Sequence, residues 1–132
     1  MSATRREARE RALGLLYEAE TRSVPPAAVL DEQPLPPDPY TVSLVTGVGE
    51  AQDDIDDTIR RFAKDWKLER MPALDRAVLR LAIRELTAHP DVPTGAVISE
   101  AVELAAQYST DESGRFVNGM LSRIATEVRP PA

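Results

Sequence analysis

Apolar residues recur at intervals of three and four along most of this chain, a period that fits amphipathic helices and not strands. Between Thr4 and Thr21, the residues Ala8, Ala12, Leu15, Leu16 and Ala19 fall on one stripe, and no proline interrupts it. The rest of that segment is rich in Ala, Leu, Arg and Glu, all strong helix formers. Leu74, Val78, Leu81, Ala82 and Leu86 give a second such helix, opened by Pro72 or capped by Asp75 and stopped at His89-Pro90. Val97, Ile98, Ala101, Val102, Ala105 and Tyr108 give another after Pro93. Phe116, Val117, Met120, Leu121 and Ile124 give the last, with Asp111 or Ser113 as its cap and Pro130-Pro131 beyond it.

Two stretches are less regular. Residues 23–39 hold six of the chain's 11 prolines and read as a connection with a short helical turn near Ala27–Asp31. From Tyr40 to Val48 both a strand alternation and a helical stripe are present. Helix is preferred, because Asp38-Pro39 is a good cap and first-turn pair and a lone strand would lack a partner. Gly47 and Gly49 mark an expected break or kink, after which the helical pattern runs on through Ile55, Ile59, Phe62 and Trp66. The expectation is an all-α fold, a single compact domain over residues 1–132 with five to seven helices.

Composition excludes most chemistry. There is no cysteine, which removes disulfides, thiolate metal sites and cysteine nucleophiles. His89 is the only histidine and reads as a helix terminator. Asp53, Asp54, Asp56 and Asp57 lack the glycine and terminal glutamate of a calcium loop, so they read as a solvated acidic face. No glycine-rich phosphate loop is present. These features point to a binding protein, not an enzyme, with no cofactor and no metal. No apolar run approaches the roughly 20 residues needed to cross a bilayer. The N-terminus is charged where a signal peptide would be apolar, so a cytoplasmic location is expected.

The net charge of −6 conceals a segmental pattern. Residues 23–59 carry eight acids and no base, whereas residues 60–84 carry eight bases and three acids. Because salt screens charges over roughly 8–10 Å, a locally basic patch can hold phosphate on an acidic protein. Arg5, Arg6, Arg9 and Arg11 lie within seven residues, with Arg5 and Arg9 one helical turn apart. Guanidinium forks match phosphate oxygens, so such a helix end can grip an RNA backbone. The plainer alternative pairs Arg6 with Glu10 and Glu7 with Arg11 on a solvated helix.

Three collinear stretches resemble the NusB family of transcription antitermination factors. The first is Arg5-Arg6-Glu7-Ala8-Arg9 running on to Ala12-Leu13-Gly14-Leu15-Leu16-Tyr17. The second is Trp66 followed by Leu74-Asp75-Arg76-Ala77-Val78-Leu79-Arg80 and on to Glu85-Leu86. The third is Val92-Pro93, then Val97-Ile98-Ser99-Glu100-Ala101-Val102-Glu103-Leu104, then Arg115-Phe116-Val117-Asn118-Gly119-Met120-Leu121. The Arg-Phe-Val-Asn-Gly run is the most specific of these, and only the proline-rich segment lies outside the match.

The resemblance implies two packed helical bundles. It implies an adaptor that binds boxA RNA of ribosomal RNA operon transcripts together with the ribosomal protein NusE, within an RNA polymerase antitermination complex. It places Arg5, Arg6, Arg9, Tyr17, Glu112, Arg115 and Phe116 on the RNA face, and Glu69, Asp75, Arg76 and Arg80 on the NusE face. Core packing is the competing role for Tyr17 and Phe116, and helix capping for Asp75. Asn118 and Gly119 are expected to be structural, through an inward hydrogen bond and a close helix approach. Glu7 interrupts the basic run, which implies weak RNA affinity without NusE. Two alternatives keep the fold. One is an RNA-binding appendage of a ribosomal RNA methyltransferase, of which this chain would be a fragment. The other is a structural helical homodimer whose interface covers the arginines.

Overall fold

The computed structural model describes residues 4–64 and 66–130; Pro131 of the expected terminal proline pair lies outside them. Six α-helices follow in order: α1 (Arg5–Arg22), α2 (Pro26–Asp31), α3 (Pro39–Phe62), α4 (Ala73–Ala88), α5 (Thr94–Tyr108) and α6 (Asp111–Val128). A single 3-10 turn, Leu68–Arg70, lies between α3 and α4, and the described residues contain no strand. Helix α1 packs on α2, α3 and α4, while α5 and α6 form a hairpin packed on α4. Helix α4 thus touches both groups, which explains why ten of its 16 residues are buried. The core is one contiguous cluster in which Leu44, Ile59, Leu79, Ile83, Leu86, Met120, Leu121 and Ile124 are fully enclosed.

Local chemistry sets the helix ends. Thr4 caps α1 by accepting from the Glu7 amide, and the Glu7 carboxylate accepts from the Thr4 amide in return. Asp38 caps α3 through the Thr41 amide, with Pro39 in the first turn, as the sequence predicts. Helix α6 is capped by Thr110 and not by the expected Asp111 or Ser113. At its far end Arg129 donates to the carbonyls of Leu86, His89 and Val92, closing the end of α4 against the loop that follows it.

Several expectations are corrected. The kink in α3 falls at Ala51 (φ −113°, ψ 15°), not at Gly47 or Gly49. Gly47 serves packing instead: a Cβ there would lie 2.2 Å from Nε of Arg84. Helix α3 stops at Phe62, so Trp66 belongs to the connection and not to a continuing helix. Asp56 does not join a solvated acidic face. It turns inward and is buried, because Arg80 on α4 offers it Nε at 2.8 Å and Nη2 at 2.9 Å. Asn118 is exposed and, among the described residues, makes no inward hydrogen bond. The close helix approach is at Gly114, where a Cβ would sit 3.4 Å from both Ala106 Cβ and the Val102 carbonyl; at Gly119 it would meet only Arg123, at 3.7 Å.

Candidate nucleic-acid interface

The N-terminal turns of α1 carry the arginine cluster, and each arginine meets a different partner. Arg5 is exposed, donates to Asp91 at 3.0 Å and sits 5.0 Å above the Tyr40 ring. Arg6 is exposed and bridges two carboxylates of α5, reaching Glu100 at 2.9 Å and Glu103 at 2.8 Å. Arg11 donates to the amide oxygen of Gln33. The predicted local pairs of Arg6 with Glu10 and Glu7 with Arg11 do not form; Arg6 reaches α5, Arg11 reaches the connection after α2, and Glu7 closes the cap with Thr4. Hydrogen bonds from Arg6 hold Glu100 below the usual carboxylate range, and those from Arg5 do the same for Asp91.

Arg9 is the exception. Only 6% of it is exposed, and its Nε and Nη2 both donate to the Glu85 carboxylate, at 2.9 and 2.7 Å. The Tyr40 hydroxyl donates to the same carboxylate at 2.5 Å. Burial raises the Tyr40 phenol, and the hydrogen bond to Glu85 raises it further. The sequence places Arg9 on the RNA face, but its guanidinium points into the protomer. The reason is Glu85 on α4, which needs a cation once buried. Arg9 therefore fixes α1 and with it the positions of Arg5 and Arg6.

Tyr17 is 42% exposed. It lines a groove of about 410 Å³ with Glu10, Leu13, Leu74, Tyr108 and Ser109. The middle of α1 thus lies beside the corner where α5 turns into α6. Tyr108 is 50% exposed and donates from its hydroxyl to Glu10 at 2.6 Å. The sequence reading missed Tyr108 by placing it on the apolar stripe of α5. Its position at the last residue of that helix was the available signal, because a stripe leaves the core where the helix ends. Glu112 and Arg115 are exposed at the start of α6, and among the described residues Arg115 makes no ion pair. Phe116 faces a different groove from Tyr17 and packs edge-on against Trp66, with ring centroids 5.0 Å apart.

The four residues expected to meet NusE do not form one surface. Arg80 is buried between Asp56 and Glu20. Arg76 donates to Glu20 and to the carbonyls of Leu68, Glu69 and Met71, stapling the 3-10 turn to the start of α4. Asp75 is buried and accepts from the Ser113 hydroxyl at 3.0 Å; it neither caps α4 nor faces solvent. Glu69 alone of the four is exposed, paired with Arg60 at 3.4 Å. Burial of Arg76 and Arg80 follows from reciprocal charge: these bases of α4 answer acids of α1 and α3. A sequence pattern shows the charges but not which ones face each other.

These features define a small all-helical protein with exposed arginines at the start of α1 and a core locked by internal ion pairs. The chain belongs to the NusB family, whose profile matches residues 6–126. It is 48% identical over 127 residues to the transcription antitermination protein NusB of Kineococcus radiotolerans, covering 93% of each chain. It is 46% identical over 134 residues to that of Clavibacter sepedonicus, covering 95% of this chain and 97% of the relative. The fold is similar to T. maritima NusB, with a TM-score of 0.88 at 36% identity over 98% of this chain and 96% of that one. It is also similar to a chain in a crystal structure of the antitermination factors NusB and NusE with double-stranded RNA. There the TM-score is 0.80 at 28% identity, covering 93% of this chain and 96% of the other.

Proposed function

We propose that this protein is a transcription antitermination adaptor. It binds boxA RNA of ribosomal RNA operon transcripts jointly with NusE and promotes read-through by RNA polymerase in the cytoplasm. It works by binding and catalyses no reaction. The observation that carries the reading is the likeness, over 93% of the chain, to a protein crystallised with NusE and RNA. The match at 42–48% identity to proteins that bear the antitermination name supports it.

The geometry supports a narrower division of roles among these residues. Arg5 and Arg6 hold phosphate from the exposed end of α1, and Tyr17 with Tyr108 offers aromatic faces to unstacked bases. Arg115 adds a cation at the start of α6, and Glu112 accepts from a base amino group. Arg9 acts through α1 as a positioning residue. Exposed ion pairs contribute little in water, so phosphates can replace Asp91, Glu100 and Glu103 as partners of Arg5 and Arg6. That exchange keeps affinity modest for the adaptor alone and leaves room for NusE to raise it. For the NusE face, exposed Glu69 is the one residue of the expected four able to touch a partner without rearrangement.

The test is a gel shift with boxA RNA, with and without NusE, across a range of salt. The expected result is sequence-dependent binding that NusE tightens and salt weakens. Binding that ignores both NusE and RNA sequence would overturn the proposal.

A further inference from the structure

A second groove, of about 420 Å³, lies between the end of α3 and the outer face of α6. Phe62, Trp66, Phe116 and Met120 form its apolar wall, and Lys64 and Arg123 are its charged lining. Trp66 is 37% exposed. Its ring meets Phe116 at 74°, so Phe116 braces the indole from the side and fixes its orientation. The charges distinguish this groove from the others. The grooves lined by Glu20 and Asp53, by Glu10, and by Glu50 each contain a carboxylate; this one contains none from the described residues. Among the described residues neither Lys64 nor Arg123 makes an ion pair, and Arg123 reaches only the Met120 sulfur. The arginines of α1 have carboxylate partners to give up; among the described residues these two cations have none.

An indole held open and braced by a second ring, flanked by cations that no described carboxylate pairs, suits an unpaired nucleotide. The base stacks on the indole face, and the phosphates on either side meet the cations. A base inside a duplex has both faces covered and cannot use it. The groove also shares Phe116 with the segment that presents Arg115, so it continues the surface at the start of α6. We propose that Trp66, Lys64 and Arg123 form a stacking site for an unpaired nucleotide of the RNA strand that the α1 face engages. This proposal rests on the RNA-adaptor reading and extends it to a surface formed by the α3–α4 connection and α6.

Trp66 is the only tryptophan, so its fluorescence reports on this groove alone. The full chain is titrated with a single-stranded boxA oligoribonucleotide, with a fully paired RNA hairpin, and with NusE alone, each run beside a gel shift. The single strand is expected to quench Trp66 with the same midpoint as the gel shift, and the hairpin to leave it unchanged. Trp66→Leu is expected to weaken binding about tenfold. Lys64→Ala with Arg123→Ala, which leaves the core intact, is expected to weaken it and flatten its salt dependence. A gel shift without quenching, with both variants binding like the parent, overturns the groove while the adaptor reading stands. Quenching by NusE alone makes the groove a protein site and overturns the proposal. Absence of any gel shift, with or without NusE, overturns the adaptor reading and this proposal with it.

Discussion

Arg9 of α1 and Glu85 of α4 face each other through a two-point hydrogen bond inside the protein, and the Tyr40 hydroxyl of α3 closes the third side of the carboxylate. Three helices are tied at one point. The stability of that point depends on balance more than on attraction. Both charges have left water, and removing either strands the other. Arg9→Ala is expected to lower the unfolding free energy by about 3–5 kcal/mol. Replacing both groups together, Arg9→Met with Glu85→Leu, is expected to restore most of that loss. Urea denaturation of the parent and the two variants measures both effects.

Glu20 couples the stability of the fold to acid. Burial pushes its carboxyl up, but hydrogen bonds from Arg76 and Arg80 outweigh burial and hold it below its ordinary value of 4.5. A group depressed in the folded state contributes stability that is complete above its unfolded value and is lost as pH falls through the folded one. Stability is therefore expected to decline below about pH 4.5 as Glu20 protonates. In Glu20→Gln the plateau is lower and the acid limb shallower. Thermal melts at stepped pH compare the two slopes.

The helices were legible because their cause is local. The stripes of α1, α4, α5 and α6, the Asp38-Pro39 start of α3 and the turn at Ala27–Asp31 are all set by residues a few positions apart. The charged site was less legible, because its partners are distant in the chain. Arg6 and Glu100 are separated by 94 positions, Arg9 and Glu85 by 76, and Arg80 and Asp56 by 24. An arginine facing solvent and one facing a buried carboxylate look alike in a helical pattern. Family likeness implies the proposed RNA face as a set, and only the fold separates Arg9, which ties α1 to α4, from Arg5 and Arg6, which remain exposed. The proline-rich segment gained a partial explanation: Pro37 and Pro39 wall a groove that also contains Gly47 and Arg84.

Gly47 and Arg84 make a sign-reversing pair. The Arg84 side chain lies across the bare face of Gly47, and among the described residues its buried Nε has no hydrogen-bond partner. In the parent, Gly47→Ala forces Arg84 aside and is expected to destabilise. With Arg84→Ala already made, the same change meets open space and gains helix propensity, about 0.8–1 kcal/mol. A double-mutant cycle by chemical denaturation reads the reversal. The same sign in both backgrounds would show that Arg84 yields freely.

The proposed RNA face offers the sharpest functional prediction, because Arg6 is shared between Glu100 and Glu103. Those carboxylates occupy the donors that phosphate would need. Removing the arginine and removing its competitors should therefore act in opposite directions. Arg6→Ala is expected to weaken boxA RNA binding and to reduce the salt slope by about 0.7, the loss of one phosphate contact on a single strand. Glu100→Gln with Glu103→Gln is expected to tighten binding, since the guanidinium is released and two negative charges leave the path of the backbone. Neither change touches the core, so melting temperatures should stay near the parent's. Filter binding across a salt series measures affinity and slope together. Weaker binding in the double glutamine variant would mean that the carboxylates orient Arg6 for RNA instead of competing with it.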